Sequence, residues 1–194
     1  LIFAMVLLAG SIVPQAATLS WVGGGDATWQ QPDNGGDWTG TYDETDGDGA
    51  DDVVFDDTAT GTTNPVSVSG TVQPNAITVN NSTTGYELHG VDTTSPTIGG
   101  TTGLTKQASG TLTIDVVGST ALSTTYTGNT VVDGGTLRVF SNSGADAAQE
   151  YGLGDSSSTI AIDNGATYKV RVSASHGGSN GGTSHWRSYI WHAD

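Results

Sequence analysis

Two short runs near the middle of the chain share a pattern at a fixed distance, and that distance constrains the fold more than any other feature. Gly110-Thr111-Leu112-Thr113-Ile114 and Gly135-Thr136-Leu137-Arg138-Val139 lie 25 positions apart, each opened by a glycine and a threonine. Leu112 and Ile114, like Leu137 and Val139, alternate with polar residues, the period of a strand with one buried face. A strand-sized motif that returns after about 20–50 residues suits one coil of a β-solenoid, in which each coil stacks on the one before. An 11-residue spacer, Asp115 to Thr125, separates the first run from Tyr126-Thr127-Gly128.

The same residues carry a family resemblance. Gly103-Leu104-Thr105-Lys106, Gly110-Thr111-Leu112-Thr113-Ile114, Tyr126-Thr127-Gly128 and Gly134-Gly135-Thr136-Leu137-Arg138-Val139 resemble the autotransporter-associated β-strand repeat, also called the passenger-associated transport repeat, of bacterial surface proteins. The close match covers about one fifth of the chain. The tryptophan-rich upstream half resembles the region that often precedes such repeats. Ala108 stands where the family usually has glycine, the spacer is longer than usual, and only one clear copy is present. These departures read as a degenerate first copy. The resemblance implies a secreted, parallel β-helical passenger and implies no enzyme activity.

Composition agrees with many short strands. The chain has 194 residues, one domain's worth, with 29 glycines and about as many threonines. Glycine permits tight turns and threonine fits a pleated surface. Only Gly144 to Tyr151 (GADAAQEY) reads as a helical turn or two. The net charge is −15, with five Lys and Arg in all. That field repels nucleic acid, and no basic run in the sequence overcomes it. There is no cysteine, so no disulfide staples the fold and stacked apolar rungs must hold it. On the family resemblance, a passenger threaded through a narrow pore also does better without disulfides.

The first 13 residues, Leu1 to Val13, are apolar and uncharged, and Pro14 ends them. A membrane span takes about 20 such residues. The run reads as the core of an export leader, with the mature chain starting near Ala17; a buried strand or helix is the other reading. The organisation expected is a leader remnant at 1–17, a cap and acidic loop at 18–57, a β-helix at 58–175 and the start of a further segment at 176–194. The anchor that a passenger needs, a membrane barrel or a sorting tail, is expected outside this sequence.

Trp21, Trp29 and Trp38 follow the leader, spaced by Gly/Asp turns. They suit a cap whose indoles close the open end of a solenoid; the alternative is exposed rings that stack on sugars. Next, Tyr42 to Asp57 holds 8 of the 20 carboxylates. Asp46, Asp48 and Asp52 resemble a calcium loop in composition, since hard cations want clustered oxygens, although the EF-hand spacing fails at Phe55. The plain alternative is a solvated acidic turn. Beyond Pro65, alternating pairs recur: Val66/Val68, Ile77/Val79, Tyr86/Leu88, Leu112/Ile114, Leu137/Val139, Ile160/Ile162 and Val170/Val172. Each inward aliphatic contributes about 1.5–3 kcal/mol when fully buried.

Catalytic signatures are weak. His89, His176, His185 and His192 fall in expected loops or near the end of the chain, at spacings unlike a metal site. Gly154-Asp155-Ser156-Ser157 has the opening of an esterase motif without its partners. Parallel β-helices also host polysaccharide lyases and glycosidases. For that chemistry Asp115, Asp133 and Asp163 could align along one edge, with Lys106, Arg138, Lys169 and Arg171 as bases.

The sequence therefore predicts an all-β chain: a right-handed parallel β-helix with an irregular Trp-rich N-terminal cap. The function expected is display or adhesion outside the cell, on a host or matrix surface or a polysaccharide. No catalytic residue and no required cofactor is expected, with calcium as the one ion considered. The alternatives are a carbohydrate-active β-helix enzyme and a calcium-stabilised sugar-binding module using Asp46, Asp48, Asp52 and the tryptophans.

Overall fold

A computed structural model describes residues 16–33, 35–45, 50–91, 96–116, 122–141, 153–163, 165–175 and 184–192. Residues 1–15 of the expected leader, Asp46, Asp48, the 144–151 segment and His176 lie outside the described residues. The described chain is all β. Three sheets wind around one core. A six-stranded sheet is formed by β1 (Thr18–Ser20), β3 (Asp52–Asp56), β6 (Ala76–Asn80), β9 (Leu104–Gln107), β12 (Thr130–Val132) and β14 (Ile160–Ile162), in that order. A seven-stranded sheet runs β2 (Thr28–Trp29), β4 (Val66–Val68), β7 (Tyr86–Gly90), β10 (Thr111–Val116), β13 (Thr136–Ser141), β15 (Thr167–Ser175) and β16 (Ser184–His192). A narrow third sheet holds β5 (Thr71–Val72), β8 (Thr97–Ile98) and β11 (Ser123–Thr124).

Consecutive strands fall in different sheets, and each pairs in parallel with the strand one coil away. That is a β-solenoid, with three complete coils (β3-β4-β5, β6-β7-β8, β9-β10-β11) and partial coils at both ends. The 25-residue repeat is the register itself: Thr111 pairs with Thr136, Leu112 with Leu137 and Ile114 with Val139. The spacer is not a simple link. Val116 still belongs to β10, and β11 supplies the third side of the coil.

Period-two alternation makes the interior. Val66, Leu88, Ile114, Val139 and Val170 stand in register as one buried column. Tyr86, Leu112, Leu137 and Tyr168 form a second. At the far edge of the six-stranded sheet the pattern reads differently from expectation. Ile160 is 39 % exposed and Ile162 half-buried, because among the described residues β14 has a neighbour on one side only. The last strand also departs from the parallel scheme. β16 pairs antiparallel with β15 over nine residues, Thr167 opposite His192, so 184–192 folds back on the stack.

The cap is built from aromatic rings. Trp21 and Trp38 meet edge to face at 5.0 Å and form an antiparallel bridge. Trp29 and Phe55 each pack against Trp38, at 5.6 and 5.4 Å, and Tyr42 stacks on Trp38 at 5.8 Å. Phe55 then touches Tyr86 at 5.3 Å, which joins the cluster to the first coils. The Trp21 indole N–H donates to the Thr62 carbonyl at 2.8 Å.

Candidate functional site

The outer face of the seven-stranded sheet concentrates the chain's few cations. On a strand whose odd partners point inward, the residues between them point out. Arg138 and Phe140 therefore leave β13 on the same face as Lys169 and Arg171 on β15. Register places Arg138 beside Lys169, and Phe140 beside Arg171. With Ile190 of β16 opposite Lys169, these residues line a cleft of about 230 Å³. The Arg171 guanidinium sits 5.9 Å from the centre of the Phe140 ring, a cation–π distance.

Arg138 and Lys169 are like charges on directly neighbouring positions, an arrangement that costs stability unless an anion answers it. Among the described residues neither has a carboxylate within ion-pair distance. One and two strands further along the same face come Thr113 and Glu87, then Asp115 and His89 in the adjacent row. His89 Nδ1 lies 3.8 Å from Asp115 Oδ2. The face thus runs from acidic at β7 and β10 to basic at β13 and β15, with an apolar platform in the basic part. It suits a ligand with an anionic group and a flat apolar side.

The residues singled out in the sequence divide clearly. Trp21, Trp29 and Trp38 are buried, so no ring face is open for a sugar; they serve the core instead. Of the proposed calcium ligands, Asp52 lies on β3 and accepts a hydrogen bond from Asn75 Nδ2 at 2.6 Å. Among the described residues no three His, Cys, Asp or Glu side chains converge on one point. In the repeat motif, Leu104, Leu112 and Leu137 are core, and Tyr126 is buried with its hydroxyl 2.7 Å from Thr130 Oγ1. Thr111 and Thr136 open their strands on the outer face. Gly103 and Gly128 sit where neighbouring coils touch: an added Cβ would lie 2.7 Å from the Asn129 oxygen and 2.2 Å from the Thr102 oxygen. Gly135 has φ +66° and would place a Cβ 2.3 Å from the Gly110 carbonyl oxygen, so both conformation and space demand glycine. Gly110 faces Asn81 in the same way, at 2.6 Å from its carbonyl oxygen.

The enzyme-like alignment changes in three respects. Asp133 and Asp163 stack on adjacent coils at one corner of the six-stranded sheet, because Val132 pairs with Ile162. Asp115 lies on the seven-stranded sheet and does not join them. Lys106 is fully buried in the column of Phe55, Val79 and Val132. Its ammonium caps the carbonyls of Gln107, Ala108 and Gly134, and desolvation pulls its pKa down to about 8. It is a turn-closing residue and cannot reach a substrate. His89 and His185 lie on strands, not in loops, as does His192. The Gly154-Asp155-Ser156-Ser157 stretch is a turn in which Asp155 Oδ1 accepts from the Ser157 N–H and hydroxyl, holding its carboxyl below the usual range.

Phe140 and Ile190 escaped the sequence reading. The signal for Phe140 was present: an aromatic directly after the inward Val139 must point out of the stack. Ile190 depended on the antiparallel return of β16, which no local pattern announces.

No family model, no curated protein and no solved structure matches this chain.

Proposed function

We propose that this chain is a secreted or surface-displayed β-solenoid segment of the autotransporter-passenger kind, acting in display or adhesion without catalysis. The observation that carries the proposal is the 25-residue register between β10 and β13, which turns a repeat in sequence into a repeat in space. A stack of that kind grows by adding coils and presents long outer faces. Export is supported by the apolar Leu1–Val13 run, by the acidic, threonine-rich composition and by the lack of cysteine. Contact with a partner is assigned to the cleft around Phe140, with the carboxylate of a surface glycan as the group that Arg138 and Lys169 bind.

Expression with residues 1–17 in place tests export. The account expects the protein outside the cytoplasm, cut near Ala17; retention in the cytoplasm with an intact leader contradicts it. Affinity electrophoresis in gels containing uronate polysaccharide tests the cleft. Retardation should disappear in Arg138→Ala/Lys169→Ala. The second reading, a carbohydrate-active enzyme, is favoured by the pairing of His89 with Asp115 on the same face as those cations. Shortened or unsaturated products from the same polysaccharides would replace the first reading with the second.

A further inference from the structure

Three carboxylates in the cap, Asp33, Asp37 and Asp51, are buried without a counter-charge, and the first two each keep an unpartnered oxygen. Asp33 is 2 % exposed and Asp37 fully buried. The first Lys or Arg in the chain is Lys106, so the cap contains no basic side chain of its own. Asp33 Oδ1 accepts the Gly35 N–H at 2.8 Å, and Asp37 Oδ1 accepts those of Gly25 and Ala27 at 2.9 and 3.2 Å. The second oxygen of each, Asp33 Oδ2 and Asp37 Oδ2, has no hydrogen-bond partner. The Trp38 indole N–H faces Asp33 but falls short of a well-formed bond, and it too is unpartnered.

Asp33 Oδ1 and Asp37 Oδ2 border one small space. A Cβ built on Gly35 would lie 3.2 Å from Asp33 Oδ1 and 3.4 Å from Asp37 Oδ2. One built on Gly25 would lie 2.3 Å from the Gly35 carbonyl oxygen and 2.7 Å from Asp37 Oδ2. The space is kept open by residues with no side chain. Its rim, Gly24, Gly25, Asp26, Gly35 and Gly36, is exposed, which leaves a way in. Burial raises the Asp33 pKa, and the neighbouring Asp37 and Asp26 charges raise it further. A buried anionic pair is stable only when neutralised by a proton or by a cation.

We infer that Asp33 and Asp37 form a calcium-class cation site that ties the two glycine loops of the cap together, with the Gly35 carbonyl as a main-chain ligand. The donors are all oxygen, which selects a hard ion. Calcium accepts carboxylate, carbonyl and water in irregular sets of six to eight, at about 2.3–2.6 Å, whereas magnesium demands near-octahedral geometry. This site uses none of the carboxylates Asp46, Asp48 and Asp52, and it does not depend on the proposed display function.

Terbium is the direct probe, because a lanthanide bound beside Trp38 gives indole-sensitised luminescence. The expected result is saturable emission at one equivalent, displaced by calcium, lost in Asp33→Asn and Asp37→Asn, and kept in Asp46→Asn/Asp48→Asn. A melting experiment on the unaltered chain guards against variants that fail to fold. Calcium at about 100 times its dissociation constant should raise Tm by about 5–10 °C over the chelated protein. Absence of saturable emission, its survival in Asp37→Asn, its loss in the Asp46/Asp48 variant alone, or an unchanged Tm would each overturn the proposal. An unchanged Tm would assign neutralisation to a proton on Asp33.

Discussion

Leu112, in the stack, sits between Tyr86 on one coil and Leu137 on the next, and almost every buried column repeats that arrangement. Trp38, in the cap, touches Trp21, Trp29, Tyr42 and Phe55, an irregular cluster that follows no coil-to-coil register. The stack buries moderate side chains many times over in equivalent surroundings. The cap buries five large rings once, over a loop skeleton with few ladder hydrogen bonds. Repeat architectures spread stability over nearest-neighbour interfaces and need a capping element to close the end. The difference teaches that a loss in the stack is shared between coils, whereas a loss in the cap uncovers the first coil.

The sharpest way to break that contrast is at Trp38. Trp38→Ala should cost about 3–5 kcal/mol and lower cooperativity, since the other rings lose their common contact. Leu112→Ala should cost about 2–5 kcal/mol while the transition stays single. Urea unfolding followed by both indole emission and far-ultraviolet circular dichroism measures the two together. Equal behaviour in both probes for both variants would erase the distinction.

A second test lies at a coil-to-coil approach. Gly135→Val should destabilise by more than about 2 kcal/mol, through a branched residue at positive φ and a Cβ on the Gly110 carbonyl. Chemical denaturation reads the loss directly.

The third test concerns pH. The folded pKa of Lys106 is depressed to about 8, below its unfolded value of about 10.4. Between these values the unfolded chain binds more protons than the folded one. Stability should therefore rise with pH over about 8–10, and the rise should vanish in Lys106→Met. Asp57 behaves in the opposite sense on the acid side. Its carboxylate accepts the N–H groups of Thr84, Ser82 and Thr83, which hold its pKa well below the usual range. Its contribution is present above the unfolded value of about 3.9 and is lost as pH falls from there. Asp33, with its raised pKa, costs the cap stability at neutral pH, and that cost is relieved on acidification. Mild acid should thus firm the calcium-free cap before it loosens the stack.

The smallest effect is a gain. Ala108 adopts φ +54°, a left-handed conformation that suits glycine. Ala108→Gly should stabilise by up to about 1 kcal/mol, readable as a Tm increase of a few degrees.

The coils were legible because alternation and the Gly-Thr spacing carry a period. Val66/Val68, Ile77/Val79, Leu112/Ile114 and Leu137/Val139 all face inward as their pattern requires. The third sheet was not legible, since Thr71–Val72, Thr97–Ile98 and Ser123–Thr124 are too short to show a period. Lys106 and Thr130 occupy inward positions that a polarity pattern assigns to solvent. Each is accommodated by a local partner, the turn carbonyls for Lys106 and the Tyr126 hydroxyl for Thr130. Ile160 misled in the other direction, as a strand pattern cannot tell an inner coil from the last one. The outer cleft needed the register of three strands, two of them far apart in sequence from Arg138, and so became visible only in the fold.

The central claim is that neighbouring coils run parallel, with a 25-residue offset between β10 and β13. The lack of native cysteine makes paired-cysteine oxidation a clean measurement of it. Partners in adjacent strands stand about 4.8 Å apart, within disulfide reach, whereas residues four places out of register are displaced by about 13 Å. The account predicts rapid crosslinking of Thr111→Cys with Thr136→Cys and of Asp115→Cys with Phe140→Cys. It predicts none for Thr111→Cys with Phe140→Cys or for Asp115→Cys with Thr136→Cys. The reverse outcome would mean antiparallel pairing and would contradict the solenoid.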